Sequence, residues 1–237
     1  MYLTHKTYIK EHMKVADLLF ENPYLMLMMQ HFGINFVVQD KSVEQVCKEN
    51  RISKEIFIAI ANLYNGFKEL DASRFTASDI QCLIAFLKNS HHYYKEEKYP
   101  EIKKLIQQIV QVNNTAEIKL IERFFDEYFT EVIEHLEYED EVAFPYFMQL
   151  TKSGRSKNET EYSAMVYRDH HTDIETKIME LKKLLLKHIP LHHDRILRRR
   201  LIISLFELEY DLTIHYTVEE ELLIPLIDNF EKTRDRG

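Results

Sequence analysis

The segment His135-Leu-Glu-Tyr-Glu139-Asp-Glu-Val-Ala-Phe-Pro145 recurs later in the chain as His215-Tyr-Thr-Val-Glu219-Glu-Glu-Leu-Leu-Ile-Pro225. Both copies place a glutamate four residues after a histidine, add two further acidic residues and a hydrophobic stretch, and end on a proline. Residues four apart lie on one face of an α-helix, one turn apart, so each His and Glu can hold one ion or bridge two. The repeated block therefore predicts helices that carry a metal site.

A histidine also precedes each copy at a similar distance. His92 lies 43 residues before His135, and His170 lies 45 residues before His215. Imidazole and carboxylate groups together suit iron, manganese or zinc, and carboxylates that face a helical core are costly unless a cation compensates them. A single His-x-x-x-Glu pair is more often a solvated pair on a helix surface. Two matched copies, each with a partner histidine, favour two metal ions held among four helices.

The composition limits the class of protein. Only 4 glycines and 5 prolines occur in 237 residues, which favours long helices over sheets. The net charge of −8 argues against non-specific binding to nucleic acid. No apolar run approaches the length of a membrane span and no signal-peptide core is evident, so we expect a cytoplasmic protein without membrane contact. Cys47 and Cys82 are far apart in sequence and are expected to be reduced thiols.

The hydrophobic pattern predicts an all-α fold in two domains. Residues 1–75 read as a small domain of short helices, and residues 76–237 as an antiparallel bundle of four long helices. The long helices are predicted at 77–112, 115–150, 159–188 and 192–230. The first of them is expected to be disturbed near Pro100, and Pro145 and Pro225 are expected to bend the second and fourth at matched positions.

The N-terminal domain contains two expected helix starts, at Ser42 and Ser53, because serine is a favoured N-cap residue. The segment 42–53 has the pattern of a helix–turn–helix. This part of the chain is close to electrically neutral and has no basic recognition face. A packing role is therefore favoured over DNA recognition.

Taken together, these motifs resemble those of the hemerythrin-like (HHE) cation-binding domain. More closely, the whole chain resembles the di-iron proteins for the repair of iron centres. In the N-terminal domain, Phe32-Gly-Ile-Asn-Phe-Val37-Val38 and Lys41-Ser-Val-Glu-Gln-Val-Cys47 carry a weaker match. In the bundle, the matching elements are His92 with Tyr99-Pro100, His135-x-x-x-Glu139 with Phe144-Pro145, Asp169-His170, and His215-x-x-x-Glu219 with Pro225.

The resemblance implies a four-helix hemerythrin-like bundle that holds two non-haem iron ions bridged by carboxylates, with iron favoured over manganese or zinc. An oxo or hydroxo bridge is compatible with that arrangement. The terminal ligands would be His92, His135, His170 and His215. The bridging ligands would be Glu139 and Glu219.

The resemblance also implies a function in the repair of iron–sulfur clusters after nitrosative or oxidative stress, by redox chemistry or iron donation. The expected partners are damaged iron–sulfur proteins or the small molecules NO, O2 and peroxide. Two alternatives stay open: a sensor or regulatory module that binds O2 or NO, and a di-metal oxidase or peroxidase. Residues 1–75 are open to three roles, as a docking surface, a homodimer contact or a packing lid.

The chain departs from the family pattern at two places. Val37-Val38 stands where the family has a vicinal cysteine pair, so the chemistry of that pair is not expected here. Asn113 stands where the family has a further histidine ligand, and asparagine is a weak ligand for iron. The residues considered as replacements are Glu117, His171 and Glu175.

Overall fold

The computed structural model describes residues 6–68, 70, 75–153, 167, 174–189 and 194–235. Within these ranges the structure is all-α and contains no named strand, which confirms the predicted fold class. The α-helices are α1 Val15–Glu21, α2 Leu25–His31, α3 Val43–Asn50, α4 Lys54–Tyr64, α5 Ala77–Tyr93, α6 Tyr99–Val112, α7 Ala116–Tyr138, α8 Phe144–Ser153, α9 Ile174–Lys187, α10 Arg195–Val218 and α11 Ile224–Asp235.

Three of the four predicted long helices correspond to continuous helical runs. These runs are α5–α6, α7–α8 and α10–α11, each including a short π-helical turn between its two α-helices. The predicted third helix is described from Ile174 onward as α9, and its first part lies outside the described residues. The hemerythrin-like arrangement of the bundle stays a prediction. Among the described residues, none of the helices is both long and apolar enough to cross a membrane.

A π turn interrupts each of the three runs directly before a proline. The turns span Tyr94–Lys98, Glu139–Ala143 and Glu219–Leu223. The proline, at position 100, 145 or 225, is the second residue after its turn. A proline has no N–H, and its ring clashes with the carbonyl four residues earlier, which here lies inside the turn. The wider π turn changes the backbone spacing at that carbonyl and so accommodates the proline ring. The sequence predicts a disturbed helix at these prolines, and the π turns are that disturbance.

Both predicted serine caps are confirmed. The Ser42 hydroxyl accepts from the Gln45 N–H at 3.3 Å, and the Gln45 side chain accepts from the Ser42 N–H at 2.9 Å. This reciprocal capping box satisfies two N–H groups at the start of α3. The Ser53 hydroxyl accepts from the Ile56 N–H at 3.4 Å and starts α4 in the same way.

Contacts divide the chain into two compact units. One comprises Met1–Ser90, Phe144–Arg168 and Ile214–Gly237, and the other comprises His91–Ala143 and Asp169–Thr213. This division follows spatial contacts rather than a boundary at residue 75. The predicted domains 1–75 and 76–237 therefore stay predictions.

In the first unit, a buried asparagine joins the start of the described chain to α4. The Asn62 amide oxygen accepts from the Ile9 N–H at 2.8 Å. Its amide nitrogen donates to the Ile9 carbonyl at 3.1 Å and to the Ile58 carbonyl at 2.9 Å. Asn62 is 2% exposed, so these hydrogen bonds replace contacts with water that Ile9 has lost.

In the second unit, aromatic rings hold α6 against α7. The Tyr99 ring stacks on the Phe129 ring with centroids 4.6 Å apart, and the Tyr99 hydroxyl donates to the Tyr128 hydroxyl at 3.2 Å. Near the π turn before α6, the Tyr94 hydroxyl donates to the Asp211 carboxylate at 2.7 Å. Aromatic contacts of this kind add to the free energy gained by burying the rings.

Replacing Asn62 by alanine should lower the free energy of unfolding by about 2 kcal/mol, because the N–H and carbonyl of Ile9 would stay buried without their partner. Urea unfolding measures the change. Asn50→Ala is the matched control, since Asn50 is exposed and bonds only within its own helix; we expect a change below about 1 kcal/mol there. Equal losses in the two variants would contradict the anchoring role of Asn62.

Candidate metal centre

The buried face of α5 positions the first histidine of the site. Ile80, Leu83, Leu87 and His91 follow one another at intervals of three and four residues, and all four are fully buried. This spacing keeps the four side chains on one side of an α-helix. The apolar side of α5 therefore carries His91 into the interior at the C-terminal end of the helix.

His92, which the sequence analysis proposed as a ligand, is exposed. It continues the solvent side of α5, where Gln81, Ala85 and Lys88 are also exposed. Neighbouring residues on a helix point about 100° apart, so only one of two adjacent histidines can face the core. The structure therefore places His91, rather than His92, toward the interior, and a ligand role for His92 stays a prediction. The intervals of 43 and 45 residues could not distinguish the two, whereas the phase of the apolar residues on α5 could.

Glu139 lies against two imidazoles. Its Oε2 atom is 3.3 Å from His91 Nε2, and its Oε1 atom is 3.3 Å from His135 Nε2. The side chains of His91 and Glu139 are fully buried, and that of His135 is 10% exposed. Glu139 opens a π turn, directly after α7 ends. Its two oxygens thus face different histidines, which is the disposition that a bridging carboxylate needs.

A second carboxylate, that of Asp140, contacts His91 on the Nδ1 side of the imidazole. The His91 Nδ1 atom is 3.1 Å from Asp140 Oδ1, and the Lys95 ammonium donates to Asp140 Oδ2 at 3.0 Å. Burial by itself lowers the pKa of His91, but the hydrogen bonds to Asp140 and Glu139 outweigh it and raise the pKa to about 9. Burial likewise acts to raise the pKa of Asp140, and the bonds to His91 and Lys95 bring it below its usual value. His91 therefore compensates Glu139 and Asp140, and Lys95 also compensates Asp140.

His215 and Glu219 form the corresponding pair in the second copy of the motif. His215 Nε2 lies 3.2 Å from Glu219 Oε1. The Ser90 hydroxyl donates to the Leu87 carbonyl at 2.7 Å and is 2.9 Å from His215 Nδ1. Since the single proton of the Ser90 hydroxyl is donated to Leu87, Ser90 accepts from the Nδ1–H of His215. The Tyr167 hydroxyl donates to Glu219 Oε1 at 3.0 Å.

Four buried residues offer ligand atoms that all lie within 4.8 Å of one another: His91, Glu139, His215 and Glu219. Two imidazole nitrogens and two carboxylates form a donor set that iron, manganese and zinc all accept. Two buried carboxylates are also costly without cations nearby. The group can therefore hold a metal ion, and its donor atoms alone do not select the metal.

Three of the six predicted ligands, Glu139, His215 and Glu219, belong to this group of four. His135 contacts Glu139 but is not a member of the group. His170 lies outside the described residues, so its proposed role stays a prediction.

The position where the resemblance expects another histidine is buried. Asn113 is the C-cap residue that follows α6 and is 6% exposed, and its amide nitrogen has no hydrogen-bond partner among the described residues. Of the proposed replacements, Glu117 is exposed and outside the group of four. His171 and the side chain of Glu175 are not among the parts of the chain that the structure describes.

The cysteines have no place in the site. Cys47 and Cys82 are free thiols, as expected from the sequence. Burial raises the pKa of Cys47 to about 12 and also raises the pKa of Cys82. The thiolate is the form that binds metals and attacks electrophiles, so both thiols are poorly suited to either task at neutral pH. At the position of the family's cysteine pair, Val37 is exposed and Val38 is buried.

Searches against protein-family models and among curated proteins found no match to this chain. The chemistry of the site is therefore inferred from its own residues. The features that carry the inference are the burial of the four side chains and the hydrogen bonds that orient the two histidines.

The choice between the adjacent histidines can be tested directly. His91→Gln removes an interior ligand and should weaken binding of Co²⁺ by at least about tenfold. His92→Gln makes the same chemical change on the exposed side of α5 and should leave the affinity unchanged. Titration of the metal-free variants, followed by the visible absorption of Co²⁺, measures both. A loss of affinity confined to His92→Gln would contradict the assignment of His91.

Proposed function

We propose that this chain is a cytoplasmic non-haem di-iron protein of the iron–sulfur cluster repair type, built on a hemerythrin-like bundle and acting under nitrosative or oxidative stress. The observation that carries the proposal is the buried group His91, Glu139, His215 and Glu219, whose ligand atoms lie within 4.8 Å of one another. The repeated His-x-x-x-Glu block supports a metal site, and the resemblance of the sequence favours iron as the metal.

In this proposal, Glu139 and Glu219 would hold the ions with their carboxylates, and His91 and His215 would hold them with their imidazoles. Glu139 already faces a different histidine with each of its two oxygens, at 3.3 Å in both cases. Glu219 faces His215 at 3.2 Å and accepts the Tyr167 hydroxyl, which limits its rotation. Iron, when bound, supplies open positions for O2, NO or peroxide and can itself be released to an acceptor. The residues of the chain orient the ligands and keep bulk water from them.

The π turns support the same function. Two of the three begin at a glutamate of the site, Glu139 or Glu219. The third begins at Tyr94, which is bonded to Asp211. Single π turns within α-helices occur frequently at functional sites, because the extra residue per turn redirects a side chain. In this chain a π turn precedes each of the prolines at positions 100, 145 and 225. Two of these turns begin at Glu139 and Glu219, the residues proposed to bridge the ions.

A module that binds O2 or NO reversibly and reports to a partner is the second candidate function, because the same buried donor set could retain an ion with open positions. Asn113 takes no part in it, since it lies 22 residues after His91 on one continuous helical run, about 30 Å along that run. The two candidate functions differ in what happens to the iron. A repair protein transfers its iron to an acceptor, whereas a sensor keeps its iron bound.

Iron transfer separates these functions. The iron-loaded chain, mixed without oxygen with a purified iron–sulfur protein stripped of its cluster, sulfide and a thiol reductant, should restore the cluster. A strong ferrous chelator, added in a parallel reaction, shows whether the iron passes through free solution. Iron that stays on the chain, with reversible spectral changes on adding NO or O2, would contradict repair and support sensing.

Glu139→Gln and Glu219→Gln should each lower the metal content from about two ions per chain to about one, since a neutral amide is a poor bridge between cations. Glu137→Gln is the control, because Glu137 is exposed on the same helical run. Elemental analysis after iron loading and removal of free metal gives the ratio. Unchanged metal content in both bridge variants would overturn the bridging assignment.

A further inference from the structure

The two described histidines of the buried group have different partners behind them. His91 has the carboxylate of Asp140 at its Nδ1 atom, at 3.1 Å. His215 has the hydroxyl of Ser90 at its Nδ1 atom, at 2.9 Å. In both cases the Nδ1 side is occupied and Nε2 faces a glutamate. The two imidazoles are thus oriented alike by acceptors of different charge.

Asp140 is itself held in place. The Lys95 ammonium donates to Asp140 Oδ2 at 3.0 Å, while Oδ1 faces His91. Lys95 and Asp140 lie in two different π turns, Tyr94–Lys98 and Glu139–Ala143, and both belong to the second compact unit. The side chains of both residues are about three-quarters shielded from solvent. Three successive contacts therefore join four side chains, from Lys95 to Asp140, from Asp140 to His91 and from His91 to Glu139.

A carboxylate behind a ligand histidine changes its properties as a ligand. It accepts the Nδ1–H, fixes the ring orientation and makes Nε2 a stronger donor to a metal. A hydroxyl fixes the same tautomer but carries no charge, and hydrogen bonds to charged acceptors are roughly twice as strong as neutral ones. His91 should therefore be the better oriented of the two imidazoles and the stronger donor to a metal ion at its Nε2 atom.

We propose that Asp140, held by Lys95, is a positioning residue for His91 and makes the His91–Glu139 pair bind metal more tightly than the His215–Glu219 pair. Metal ions then load in order, with the pair backed by Asp140 filled first. The ion at the pair backed by Ser90 is the more readily exchanged of the two. This inference rests on the proposed di-metal function. It adds that one of the two ions is retained and that the other is the one released.

Titration of the metal-free protein with Co²⁺, in competition with a chromophoric chelator, tests the order of loading. The wild type should show two steps with affinities at least about tenfold apart. Asp140→Asn removes the charge but keeps an acceptor, and it should weaken the tighter step by about tenfold or more while leaving the other within about threefold. Asp140→Ala should weaken that step further. Ser90→Ala should act on the weaker step alone.

Glu141→Gln is the matched control. It makes the same acid-to-amide change in the same π turn, but Glu141 is exposed. Both binding steps should keep their wild-type affinities. A loss equal to that of Asp140→Asn would show that net charge, rather than the contact with His91, sets the affinity, and would overturn the proposal.

A second readout distinguishes positioning from a merely structural role. In the Zn²⁺-loaded protein, nitrogen-detected correlations of the histidine rings should show a protonated Nδ1 and a metal-bound Nε2 for His91. In Asp140→Ala, the Nδ1 proton should exchange faster with water while urea stability stays close to that of the wild type. Two equal binding steps, or an Asp140→Asn protein with wild-type affinities, would contradict this inference alone. A wild-type chain that binds no metal would contradict the proposed function as well.

Discussion

The burial of two carboxylates, those of Glu139 and Glu219, is the main constraint on this structure, because each of them needs a compensating partner. Each is at most 1% exposed and faces an imidazole nitrogen at 3.2 to 3.3 Å. A buried carboxylate is tolerated only beside a cation or strong donors. For Glu139 the cation is His91, whose pKa is raised to about 9, and Glu219 accepts the Tyr167 hydroxyl. A metal ion would meet the same requirement with the same side chains, so the group that makes this burial tolerable could also hold a metal ion.

The local backbone connects this constraint to the sequence. Pro145 and Pro225 prevent a regular helix from continuing past the acidic residues, and a π turn takes its place. Each turn begins at a glutamate of the buried group. The same π turn therefore accommodates the proline and orients the glutamate side chain. Asp140, the next residue in the first of these turns, contacts His91 from behind. The short acidic stretch after each histidine thus contains a proposed ligand and, in the first copy, a carboxylate that contacts His91.

Much of this could be predicted from the sequence, because it depends on local periodicity. The long helical runs, the caps at Ser42 and Ser53, and Glu139, His215 and Glu219 all follow from spacing and residue type. His91 was missed because a distance between histidines says nothing about the phase of a helix. The roles of Asp140 and Ser90 could not be predicted, since their partners are distant in sequence and meet only in the folded chain.

The most direct test of the central claim is the metal content of the chain, measured by elemental analysis on protein purified without oxygen from iron-supplied cells. The proposed function predicts about two iron ions per chain, with the buried histidine–glutamate group among their ligands. Mössbauer spectra of the same sample, enriched in ⁵⁷Fe, show whether those ions are magnetically coupled, as carboxylate-bridged ions would be. Protein that carries no metal, or only zinc, and that takes up no iron when supplied with ferrous salt would contradict the account.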